Sequence, residues 1–133
     1  ICNKEEYQRV LKKPDEYDIK TLMDAMHEQG PKIVVLTDGP KGAYASDGSA
    51  MYFMPPYPDP KPPLQRTGAG DAFSSTVTVA LALGLSLVDA LRWGPINSMS
   101  VVQGIGARQG LLSREKLGEF LAKAPADYYP RPI

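Results

Sequence analysis

Between Asp71 and Asp89 the chain carries no charged side chain, and two glycines, Gly68 and Gly70, introduce that stretch. Phe73, Val77, Ala80, Leu81 and Gly84 recur at intervals of three and four, the period of a helix with one packed face. Ser74, Ser75, Thr76 and Thr78 make the rest polar but uncharged, so the spacing predicts a helix buried between other elements. The first turn of such a helix presents backbone N–H groups with no acceptor in a preceding turn. Gly68 and Gly70 have no Cβ, so the backbone there turns tightly and a ligand approaches closely. Free amides at the positive end of a helix dipole form an anion site, most often for phosphate.

Asp71 follows directly, and a carboxylate is a poor neighbour for phosphate unless it has another role. It can accept the proton of a hydroxyl that attacks the phosphate. It can also simply offset the dipole of its own helix. Spacing alone leaves both readings open. Two other glycine motifs are excluded: G-x-x-x-x-G-K-[ST] is absent, and G-x-G-x-x-G fails because Phe73 stands at the third glycine position.

The local patterns describe an α/β chain. Asn3 and Glu6 have capping-box spacing, for a helix running to about Lys13 before Pro14. A second helix starts at Asp18, carries Leu22, Ala25 and Met26 on one face, and ends at Gln29–Gly30, with His27 as a surface residue. Residues 33–37 form a β-branched run read as a parallel strand buried on both faces, which puts Thr37 and Gly39 at its carboxyl end, where ligands gather. Residues 43–46 and 50–53 are the arms of a hairpin around Asp47-Gly48. The proline-rich stretch from Met54 to Leu64 is an extended connector. Ser86 with Asp89 opens a helix carrying Leu87, Leu91, Ile96, Met99 and Val102, which Pro95 should kink or split. Ser113 caps a last helix, and the tail from Pro125 reads as irregular.

Bulk properties narrow the partners. A chain of 133 residues supports one domain with a core. With 15 basic and 15 acidic residues, nothing in the charge favours nucleic acid or an anionic membrane. The uncharged run to Val88 is short for a membrane span and contains five hydroxyl residues. The single cysteine, Cys2, fits a reducing, cytoplasmic setting.

Thr67-Gly68-Ala69-Gly70-Asp71-Ala72-Phe73 resembles the signature of the ribokinase-like (PfkB) carbohydrate kinases, usually Asp-Thr-Thr-Gly-Ala-Gly-Asp-Ala-Phe. Asn3-Lys4-Glu5-Glu6 is similar to that family's Asn-x-x-Glu, and Thr37-Asp38-Gly39-Pro40-Lys41-Gly42-Ala43 to its Thr-x-Gly-x-x-Gly. The resemblance covers only the C-terminal part of such a kinase. It implies a three-layer, Rossmann-like sheet with helices on both faces. Residues 1–133 would be the nucleotide-binding and catalytic portion, and Ile1-Cys2 the stump of a core strand. The N-terminal substrate and lid portion of the same protein would be its partner, and the isolated fragment would be inactive.

By the same resemblance ATP and magnesium are the cofactors, a sugar or nucleoside is the substrate, and a homodimer is compatible. Asp71 would be the general base, and Gly68, Ala69 and Gly70 the anion hole. Thr37, Gly39, Thr67 and Asn97 would contact the nucleotide, Asn97 by a looser match near the adenine. Asn3 and Glu6 would organise magnesium through water. The loop with Gly104, Gly106 and Gly110 would border the base. The rival expectation is a non-catalytic nucleotide-binding or assembly module of the same fold.

One departure stands out. The family's leading Asp-Thr is here Gln65-Arg66. In many members that aspartate helps hold a monovalent cation that orders the anion hole. Gln65 supplies a neutral amide and Arg66 a fixed positive charge, so the expectation is a potassium-independent protein.

Overall fold

The computed structural model describes residues 1–133 and contains a five-stranded sheet with helices on both faces. In chain order the elements are β1 (Cys2–Asn3), α1 (Lys4–Val10), α2 (Ile19–His27), β2 (Val34–Thr37), β3 (Ala43–Ser46) and β4 (Met51–Met54). They continue with α3 (Ala69–Ala82), α4 (Leu87–Val101), α5 (Arg114–Ala122) and β5 (Arg131–Pro132). The strands lie side by side in sequence order. β1 and β2 are parallel, and every later pair is antiparallel. The strand at 34–37 is therefore parallel on one side only, a correction to its reading as a parallel strand. The hairpin partner β3 follows so closely after Gly42 that only an antiparallel return is possible.

Two apolar clusters hold the layers together. Tyr7, Leu22 and Met23 pack on Val34 and Leu36 on one face. On the other, Phe73, Val77, Ala80, Leu91 and Ile96 pack on Val35, Ala43, Ala45 and Met54. Alternation along β2 explains the split, since successive side chains point to opposite faces. Leu22, Leu36, Leu91 and Ile96 are each 0% exposed, and full burial of such a side chain contributes about 1.5–3 kcal/mol. Burial in the first cluster also pushes the Tyr7 phenol pKa well up, so it stays neutral.

Several expectations need correcting. α1 stops at Val10 rather than near Lys13, because Lys12 takes a left-handed conformation with φ 55°. α4 runs unbroken through Pro95, which is buried with Gly94 where α4 meets α3. A Cβ on Gly94 would come within 2.7 Å of the Phe73 ring, so this glycine lets the two helices approach. α3 is buried on one face only. Ser75, Thr78, Val79 and Leu83 are exposed, the last two by 54% and 52%. His27 is not a free surface residue, since its Nε2 lies 3.0 Å from Ser46 Oγ and its Nδ1 3.0 Å from the Pro31 carbonyl. The tail is not irregular throughout: β5 pairs with Tyr52 and Phe53 of β4, and Pro132 is tolerated because the strand lies at the sheet edge. No helix is long and apolar enough to cross a membrane.

Candidate active site

Parallel pairing sets Asn3 opposite Thr37, which brings the ends of β1 and β2 together although 34 positions separate them. Beyond those ends opens a cavity of about 450 Å³. Asn3, Thr37, Gly39 and Gly42 form its sheet side, and Arg66, Ala69 and Gly70 its helix side. Phe73, Pro95, Met99 and Val102 supply an apolar wall. Gly42, at φ 112°, is required by the hairpin entry, because a Cβ there would lie 2.5 Å from the Met54 carbonyl oxygen.

The start of α3 differs from that of every other α-helix in the chain. Gly68 precedes it in a left-handed conformation, φ 84°, and no side chain caps the helix. A Cβ on Gly68 would lie 2.8 Å from Ala107 Cα and 2.9 Å from its carbonyl oxygen, so the loop after α4 rests directly on the turn. The Ala69 N–H donates to the Arg66 carbonyl at 3.3 Å, whereas the N–H groups of Gly70 and Asp71 meet no acceptor in the chain. Ala69 and Gly70 face the cavity. Asp71 is exposed, forms no ion pair, and lies outside the cavity lining. The open helix terminus therefore has a cavity on one side and a free carboxylate at its next residue.

The predicted site residues fall into two groups. Asn3, Thr37, Gly39, Ala69 and Gly70 meet around the cavity. Gly68 shapes the turn from behind, and Thr67 is exposed outside the lining. Glu6 also lies outside it, where its Oε2 accepts the Asn3 N–H at 2.8 Å while Asn3 Oδ1 accepts the Glu6 N–H at 2.9 Å. Asn97 is 5% exposed and absent from the lining. Its Nδ2 donates to Thr76 Oγ1 at 2.8 Å and its Oδ1 accepts the Leu112 N–H at 2.9 Å. This amide ties α3, α4 and the segment entering α5 together, and both of its ends are occupied.

Sequence reasoning missed the wall built by the proline-rich connector. Pro56, Tyr57, Pro58 and Asp59 line the cavity. Tyr57 is fixed by edge-on contacts with Phe120 and Tyr128, at 5.9 and 4.9 Å between ring centroids, and its hydroxyl donates to the Phe120 carbonyl at 3.0 Å. Burial raises the Tyr57 pKa, so it remains a neutral donor. An aromatic among six prolines is the only sequence signal that marked this spot.

The family described as "pfkB family carbohydrate kinase" matches residues 1–114. A ribokinase of Bacillus subtilis is 34% identical over 92 residues, 69% of this chain and 31% of its own length. A 5-dehydro-2-deoxygluconokinase of Clostridium beijerinckii is 31% identical over 119 residues, 88% of this chain and 33% of its own. The structure of Arabidopsis thaliana ribokinase complexed with ribose and ATP superposes with a TM-score of 0.79 at 27% identity, over 90% of this chain and 39% of that one. The chain thus spans about a third of the length of these curated relatives.

Proposed function

Since this chain belongs to the pfkB family of carbohydrate kinases, we propose that it is the part of an ATP-dependent kinase that holds the nucleotide and supplies the base, the acceptor being a hydroxyl of a sugar or nucleoside. The observation that carries this reading is the uncapped start of α3, with two acceptor-free amides beside a cavity and the Asp71 carboxylate unpaired next to them. ATP occupies the cavity, its base against the wall of Pro95, Met99 and Val102 and its phosphates toward Thr37, Gly39 and the α3 terminus. The acceptor hydroxyl gives its proton to Asp71 as its oxygen bonds to the γ-phosphorus, and the bond to the β-phosphate oxygen breaks to release ADP. The acceptor-free amides of Gly70 and Asp71, at the turn that Gly68 opens, stabilise the negative charge on the transferring group.

Magnesium, when bound, neutralises charge on the nucleotide phosphates. No cluster of three or more His, Cys, Asp or Glu side chains forms a closed metal cage. The donors present suit an ion that keeps its water shell: Asn3 reaches the cavity, and Glu6 spends only Oε2 on the capping box. A monovalent cation fits less well. Gln65, which stands where the family signature has an aspartate, is neutral, and its Nε2 is buried without an acceptor.

The complete protein is the proper object for the test, because this chain spans about a third of the length of its curated relatives. Asp71→Ala should lower turnover by about a hundred- to ten-thousand-fold and leave MgATP binding intact. Normal turnover in that variant would remove Asp71 from the chemistry. In the same assay, adding potassium to a sodium- and potassium-free buffer should leave the wild-type rate unchanged, and a severalfold rise would restore the cation. A purely non-catalytic module is disfavoured by the kinase relatives on both the sequence and structure sides.

A further inference from the structure

Resting on the nucleotide reading of the cavity, we propose that Arg66 binds the nucleotide's polyphosphate directly and is the fixed positive charge of this site. Arg66 and Asp59 are the charged residues in the cavity lining. None of the chain's three ion pairs involves Arg66, so its guanidinium is uncommitted. Lys41, near the same mouth, is by contrast drawn toward Asp38 at 3.9 Å and lies outside the lining.

The backbone that carries Arg66 is anchored on both sides. Leu64 N–H donates to the Val102 carbonyl at 2.9 Å, and the Arg66 carbonyl accepts the Ala69 N–H at 3.3 Å. The side chain therefore projects from a short segment pinned between α4 and the first turn of α3. Its planar fork matches two phosphate oxygens at once, a geometry an ammonium does not reproduce. Two bare amides at α3 supply partial charge only, and Asp59, also in the lining, opposes an anion, so a full positive charge decides the electrostatics there. The family signature has a neutral threonine at this position, which makes the charge a property of this chain.

The test compares wild type, Arg66→Thr and Arg66→Lys in the complete protein, with MgATP and adenosine dissociation constants read by titration calorimetry or displacement. Losing a charge-assisted pair predicts about a ten- to hundredfold weaker MgATP constant for Arg66→Thr. Adenosine, which has no phosphate, should bind all three proteins alike, and Arg66→Lys should fall between the others for MgATP. Unchanged MgATP binding in Arg66→Thr overturns the assignment while leaving the kinase reading standing. Equal loss for adenosine and MgATP also overturns it, because it makes Arg66 a packing residue. A wild type that binds neither ligand removes the nucleotide reading, and the role of Arg66 with it.

Discussion

Helices α1 and α3 approach the cavity from opposite faces of the sheet, yet their first turns are finished in opposite ways. At α1 the Asn3 and Glu6 side chains each accept the other residue's backbone N–H, at 2.9 and 2.8 Å. α2, α4 and α5 are closed similarly, by Asp18, Ser86 and Ser113. α3 has only Gly68, with no side chain to give. A cap contributes about 1 kcal/mol, so leaving one out forgoes stability at a single helix of five. That helix is the one whose terminus meets the cavity with free donors. Among the α-helices, the contrast separates starts that serve the fold from the one that is available to a ligand.

The two glycines of the turn break the comparison most sharply. Gly68→Ala places a side chain at φ 84° and against the Ala107 backbone, and should destabilise the protein by about 2–3 kcal/mol in chemical denaturation. Gly70→Ala meets nothing within 4 Å and replaces a flexible residue inside a helix, so stability should rise by up to about 1 kcal/mol. Because Gly70 lines the cavity, turnover of the complete protein should still fall. Gly70→Ala gaining stability and keeping full activity would mean that phosphate does not approach this backbone.

At the sealed end, Asn3→Ala should cost about 1 kcal/mol and Asn3→Ser should restore most of it, since serine caps as well as asparagine. If Asn3 also orders magnesium, Asn3→Ser will recover stability without recovering the magnesium dependence of turnover. Recovery of both together would confine Asn3 to capping.

What could be read from the sequence follows the reach of the interactions. The caps at Asn3, Asp18, Ser86 and Ser113 and the turn at Asp47-Gly48 were legible because each is completed within about three residues. Asp47 Oδ1, for example, accepts the N–H groups of Ser49 and Ala50 at 2.9 Å. The start of α3 was legible for the same reason. Tyr57 in the cavity wall depends on Phe120 and Tyr128, more than sixty positions away, and nothing nearby announces them. Asn97 matched a family position by spacing, but Thr76 and Leu112 claim its amide. The exposed face of α3 could not be foreseen, because hydroxyls and small apolar groups suit burial and exposure alike, and within this chain nothing covers Thr78, Val79 and Leu83. Pro95 misled because a helix buried against Phe73 and Val77 retains its path despite one missing N–H.

The smallest expected effect lies in acid, at side chains that close a helix start or a turn. Asp18 accepts the Thr21 N–H at 2.8 Å as the cap of α2. That backbone bond, and then the Thr21 side chain, hold its carboxyl below the usual carboxylate range. At Asp47 the Ala50 N–H and then the Ser49 N–H act in the same direction. A carboxyl whose folded pKa is depressed stabilises the fold above its unfolded pKa, near 4, and loses that contribution as pH falls through the folded value. Thermal midpoints should therefore decline below about pH 4, and Asp18→Asn, which still caps but does not titrate there, should flatten part of that decline. A limb untouched by Asp18→Asn would mean that the cap of α2 carries none of the acid dependence.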